Sequence, residues 1–148
     1  MARPARFAQT PPRRRNTAAR RVFLFAQEPR MITRFPGLTP TRSRAVVHDG
    51  LVFTVAVTPH NEPDMYTQTK SALVRIDESL AMAGSDKSRI LQATVYIADM
   101  ARKDEMNRAW DEWVDRRNPP QRACLGVALE PPHLVEIVIV AATKQGAA

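Results

Sequence analysis

Arg122, Cys124 and Glu136 fall on two β-rich runs in the last third of the chain, with Asn107 a short way upstream. An arginine offers a planar fork of N–H donors that matches a carboxylate, and a glutamate can take or return a proton. The first run, residues 121–129, follows the break at Pro119-Pro120. Read as a strand, its period-two alternation puts Arg122, Cys124, Gly126 and Ala128 on one face. The second run, residues 134–141, is apolar and β-branched almost throughout, which predicts a strand buried on both faces. Glu136 interrupts it. A buried carboxylate without a partner costs several kcal/mol, so Glu136 needs an arginine on a neighbouring strand, a substrate or an ordered water. A purely structural Arg122–Glu136 ion pair is the competing reading.

Other chemistries find no support. There is no glycine-rich phosphate cradle, no G-x-S-x-G elbow and no kinase signature. His48, His60 and His133 are scattered and there is one cysteine, so no zinc constellation can be drawn and no metal or cofactor is expected. Cys124 lacks a nearby histidine to act as its base and reads as a small buried residue.

A chain of 148 residues suits one domain, and no run reaches the ~20 apolar residues of a membrane span. The single cysteine fits a reducing compartment, and a cytoplasmic location is expected. The net charge of +7 invites a nucleic-acid reading, but eight of the 22 Lys/Arg and only one of the 15 acids precede Met31. Residues 31–148 are therefore neutral overall, which argues against phosphate-backbone binding by the domain. The basic segment 1–30 has no periodic apolar face and is expected to be a disordered extension. It could be translated upstream sequence with Met31 as the natural start, a targeting peptide, or a basic arm. The first is preferred, because Met31 leads directly into Ile32-Thr33-Arg34, where ordered sequence is expected to begin.

The elements that must carry these residues alternate from there. Residues 45–48 and 51–57 are β-branched runs joined by Asp49-Gly50, a strong hairpin signal. A helix is predicted from the N-cap Asp64 to Gly84, with Met65, Thr69, Ala72, Leu73, Ile76, Leu80 and Ala83 on one stripe and Lys70, Asp77 and Glu78 on the solvated side. Residues 90–98 form a strand. Residues 102–114 form a second helix whose Trp110 and Trp113 belong to the core. The order is ββαβαββ: an α+β fold with two helices on one face of a mixed sheet. Its other face needs a cover that one chain cannot supply, so self-association is expected.

With the elements in place, Gln68-Thr69-Lys70, Gly84, Ile90-Leu91, Thr94-Val95, Met106-Asn107-Arg108-Ala109-Trp110, Pro120-x-Arg122 and Val135-Glu136-Ile137 together resemble the RidA (YjgF/YER057c/UK114) family. The Asn-x-Ala-Trp-Asp-x-Trp run is most similar to its YoaB-like branch. The resemblance covers residues 31–143 and implies a chorismate-mutase-like fold, a homotrimer and sites in clefts between subunits. For the archetypal branch it also implies cofactor-free hydrolysis of 2-imino or enamino acids to 2-oxo acids and ammonia. Arg122 matches the arginine that holds the substrate carboxylate, and Glu136 the carboxylate that activates water. Cys124 and Asn107 match residues that line the site. Where archetypal members carry Ser/Thr-Gly this chain has Val55-Ala56, and where they carry a site tyrosine it has Arg42. The interval from Arg122 to Glu136 is also a residue shorter. A non-catalytic trimer that binds small carboxylates is the alternative function.

Overall fold

The computed structural model describes residues 31–144. The basic segment 1–30, and the expectation attached to it, lie outside the described residues. The elements run β1 (Thr33–Pro36), β2 (Ser43–His48), β3 (Leu51–Val57), α1 (Met65–Met82), β4 (Ile90–Ile97), α2 (Lys103–Trp113), β5 (Gln121–Gly126) and β6 (Val135–Ala142). The expected α+β layering is present, two helices on one mixed sheet. One strand more than expected precedes the ββαβαββ order. β1 pairs only with β2 and three of its four residues are exposed, so it has neither the alternation nor the buried face that marks a strand in sequence.

The sheet order is β1-β2-β3-β6-β4-β5. All neighbours are antiparallel except β4 and β5, which α2 connects as a parallel crossover. Asp49 and Gly50 both adopt positive φ, 56° and 75°, the conformation a two-residue type I′ hairpin requires, and they set the β2–β3 register at His48↔Leu51.

The core lies between sheet and helices. Met65, Thr69, Ala72, Leu73, Ile76, Leu80 and Ala83 are all buried, as the helical spacing requires. They meet Val52, Ala93, Val95, Ile97, Val135, Ile137 and Ile139, the alternate residues of β3, β4 and β6. Asp64 caps α1 by accepting a bond from the Thr67 backbone N–H at 2.8 Å, which holds its carboxyl below the usual carboxylate range. Gly84, at φ 72°, ends the helix segment. All three residues of the solvated side have partners: Asp77 accepts from Trp113 Nε1 at 2.8 Å, tying α1 to α2, Glu78 pairs with Arg44, and Lys70 donates to Tyr66 Oη at 3.3 Å.

The other sheet face is a correction to the doubly buried strand expected at residues 134–141. Glu136, Val138, Val140 and Ala142 are only half-buried, while Val135, Ile137, Ile139 and Ala141 are buried against the helices. Around them Phe53, Val55 and Leu125 are each more than 40% exposed. Clustered exposed apolar side chains on one sheet face are the kind of surface that interaction sites present.

Candidate functional site

Arg122 begins from the edge strand β5. Its register opposite Ala93 of β4 turns it, with Cys124 opposite Val95, toward the helix side of the sheet. There α2 meets it. Asn107 Oδ1 accepts a hydrogen bond from Arg122 Nη2 at 2.9 Å. The Trp110 ring centroid lies 5.3 Å from the guanidinium carbon, and Met106 Sδ is 4.0 Å from Nη1. Cys124 packs against the core beside them. Alternation correctly puts Arg122, Cys124 and Gly126 on one face, but the strand ends at Gly126, so Ala128 lies beyond it. Every partner of the guanidinium is neutral, and among the described residues Arg122 makes no ion pair. A half-buried cation held in one orientation by an amide and an indole, with unused N–H donors, is suited to grip a carboxylate.

Glu136 does not join this corner. β4 stands between β5 and β6, and Glu136 pairs with Tyr96, three residues along from the Ala93 that faces Arg122. From strand spacing and rise, the two backbones are about 14 Å apart. The side chains also leave opposite faces of the sheet. Within one chain the two residues form no ion pair, and the structural-pair reading fails on strand order, which alternation does not reveal.

Instead Glu136 lines a pocket of about 460 Å³ at the end of β3, together with Arg42, Arg44, Arg75, Val57 and His133. Its partner across the sheet is Val57. The loop 37–42 forms one wall. Gly37 donates its N–H to Arg42 O at 3.1 Å, and a Cβ there would stand 2.5 Å from that oxygen, so the closure requires glycine. The opposite wall is set by Gln68 of α1, which is buried. It donates through Nε2 to Glu62 O at 2.9 Å and Pro132 O at 3.1 Å, and accepts the Leu134 N–H at 2.8 Å. One side chain thus fixes the backbone that leads into Glu136. Arg44 is engaged by Glu78 and Ser79. Arg42 and Arg75 make no ion pair among the described residues.

Sequence reasoning singled out Arg42, Val55 and Ala56 only as departures, and the structure gathers all three around Glu136. Arg75 and Gln68 had no role assigned: each is a polar residue within a helix read for its apolar stripe, and helical spacing does not show what a polar side chain bonds. Among the described residues no three His, Cys, Asp or Glu side chains gather as around a metal ion, and no helix is long and apolar enough to cross a membrane.

Comparison with known proteins agrees with this architecture. Residues 38–143 match the family described as Endoribonuclease L-PSP. A RutC family protein of Haemophilus ducreyi is 47% identical over 114 residues, 76% of this chain and 97% of the relative. The RutC family protein YoaB of Escherichia coli is 39% identical, over 68% of this chain and 89% of its own length. A crystal structure of a YjgF-family member from Neisseria meningitidis superposes with a TM-score of 0.74 at 39% identity, covering 78% of this chain and 97% of that one. With a family model over most of the described chain and YoaB among its relatives, this protein belongs to the RidA (YjgF) family, on the YoaB-like side.

Proposed function

We propose that this chain is a RidA-like enamine/imine deaminase whose site is completed between copies, Arg122 of one facing Glu136 of the next in a homotrimer. The observation that carries the reading is the state of Arg122: oriented by Asn107 and Trp110, without a carboxylate partner among the described residues, on an edge strand that a second copy can reach. The exposed Phe53, Val55 and Leu125 on the uncovered sheet face support assembly, because association would remove them from water.

In the assembled cleft Arg122 binds the substrate carboxylate through two N–H donors, while Asn107 keeps the fork from rotating. Glu136 takes a proton from water as the water oxygen adds to the imine carbon. The C=N bond becomes a C–N single bond and the nitrogen is protonated. Collapse of the carbinolamine expels ammonia and forms the 2-oxo acid, and Glu136 returns to its starting state. An enamine first becomes an imine by protonation at carbon. Cys124 lines the cleft without a covalent role.

The second reading, a trimer that binds small carboxylates without turnover, also has an observation behind it. The Arg122 corner matches the family pattern, whereas Arg42, Val55 and Ala56, the departures from it, all line the Glu136 pocket. Imino acids generated by an amino-acid oxidase separate the two. A deaminase shortens the lifetime of the imine in proportion to protein added; a binder leaves it unchanged while 2-oxo acids still bind. Light scattering at micromolar protein should report three times the monomer mass, and a stable monomer would remove the shared site.

A further inference from the structure

The Glu136 pocket holds two arginines that no carboxylate of the described residues engages. Arg42 and Arg75 line it without an ion pair among the described residues, coming from the loop before β2 and from the middle of α1. His133, on the same wall, carries a buried Nδ1 with no hydrogen-bond partner among the described residues. The only carboxylates in the lining are Glu136, half-buried, and Glu130, exposed on the rim as Arg42 is, and neither pairs with an arginine among the described residues. Arg44 is already neutralised by Glu78.

We propose that the Glu136 pocket is the subsite for a second carboxylate, so that the substrates are imines or enamines of dicarboxylic acids. The inference rests on the deaminase or carboxylate-binding reading of Arg122 and names the substrate class for it. In the assembled cleft Arg122 takes the carboxylate next to the imine carbon. Arg42 and Arg75 take the carboxylate at the far end of the substrate, on the wall that also carries the unpartnered His133 Nδ1. Three guanidiniums then face Glu136 and a dianion. A monocarboxylate on Arg122 would leave both Arg42, which is exposed, and Arg75, which is half-buried, without a carboxylate from the substrate. Arginine suits this task, since it stays charged and presents paired donors to a planar anion.

The test is isothermal titration of the full chain with the two product analogues 2-oxoglutarate and 2-oxobutanoate, and with 3-phosphoglycerate as a carboxylate-plus-phosphate probe. The expected result is at least ten-fold tighter binding of 2-oxoglutarate than of 2-oxobutanoate. Arg42→Ala and Arg75→Ala should each pull that ratio toward one, and imine turnover should show the same preference. Equal affinity for the two 2-oxo acids, or a ratio untouched by both variants, overturns the proposal. Tighter binding of 3-phosphoglycerate than of 2-oxoglutarate overturns it in favour of a phosphate subsite. Failure of the underlying reading looks different: Arg122→Ala would then leave both 2-oxo-acid affinities as they were. If neither 2-oxo acid binds, both readings fall.

Discussion

The Arg122 corner and the Glu136 pocket are built in opposite ways. Arg122 is finished within one chain: Asn107, Trp110 and Met106 reach it from α2, and the indole that supports it is itself 5% exposed core. Glu136 stands on the uncovered sheet face beside a loop, near Arg42 and Arg75, which make no ion pair among the described residues, and with apolar neighbours still exposed. One region is preorganised by folding and the other is left for assembly or ligand to complete. Strand order is the cause, because β4 lies between the two strands that carry the site residues. Under the proposed reading, a site divided this way would tie function to association, since the described fold of one chain does not bring both residues to one ligand.

Variants can break this comparison or sharpen it. The largest effect belongs to Glu136→Gln, which keeps the shape and removes the base. Imine hydrolysis should fall by about 10²-fold or more, with 2-oxo-acid binding retained. Turnover near the wild-type rate would take Glu136 out of the chemistry. Next comes Arg122→Lys, which keeps the charge and loses the fork. Titration should show about 1.5–3 kcal/mol weaker carboxylate binding, and thermal unfolding should be little changed because no ion pair is broken. A large fall in Tm with unchanged affinity would make the corner scaffold.

Asn107→Ala is expected to act through Arg122. Loss of the neutral hydrogen bond that orients the guanidinium should weaken carboxylate binding by about 0.5–1.5 kcal/mol, without altering imine chemistry once substrate saturates. A kcat effect at saturating substrate, larger than the change in KM, would give Asn107 a direct catalytic contact instead.

The smallest effect is set by Asp64, remote from Arg122. Its carboxyl is held below the ordinary range by the Thr67 N–H, so its contribution is present above the unfolded carboxylate pKa and is lost as pH falls through the depressed folded value. Asp64→Ala should therefore lower Tm modestly at neutral pH, and the difference from wild type should narrow in acid. A difference that is constant across that range would mean the cap is not acting through its charge.

Much of the fold is legible in the sequence because it depends on period and caps. The α1 stripe, the Asp49-Gly50 hairpin and the shared face of Arg122 and Cys124 on β5 follow from spacing alone, whereas the apolar run of β6 conceals that one of its faces is only half-buried. β1 escapes, since an exposed four-residue edge strand ending in proline carries no period. The candidate site divides in the same manner. Arg122, Asn107 and Cys124 meet because residues of α2 and β5 pack within one crossover unit, a local relation that neighbouring motifs can signal. The distance from Arg122 to Glu136 depends on which strand lies between them, and that is fixed by packing of the whole sheet. Arg75 and His133 join the pocket through tertiary contacts with a loop, for which no local pattern exists. Trp110 shows the limit of sorting residues into core and site: it is buried as its helical spacing requires, and its face also carries Arg122.

The central claim, that one copy's Arg122 works with another copy's Glu136, is tested most directly by mixing two inactive variants. Arg122→Ala and Glu136→Gln chains are co-expressed, purified together through different tags, and assayed for imine hydrolysis beside each variant alone. In randomly mixed trimers about one cleft in four joins an intact Arg122 to an intact Glu136, so activity should return to roughly a quarter of wild type. Mixed trimers as inactive as either variant alone, at wild-type assembly state, would show that both residues must come from one chain and would contradict the account.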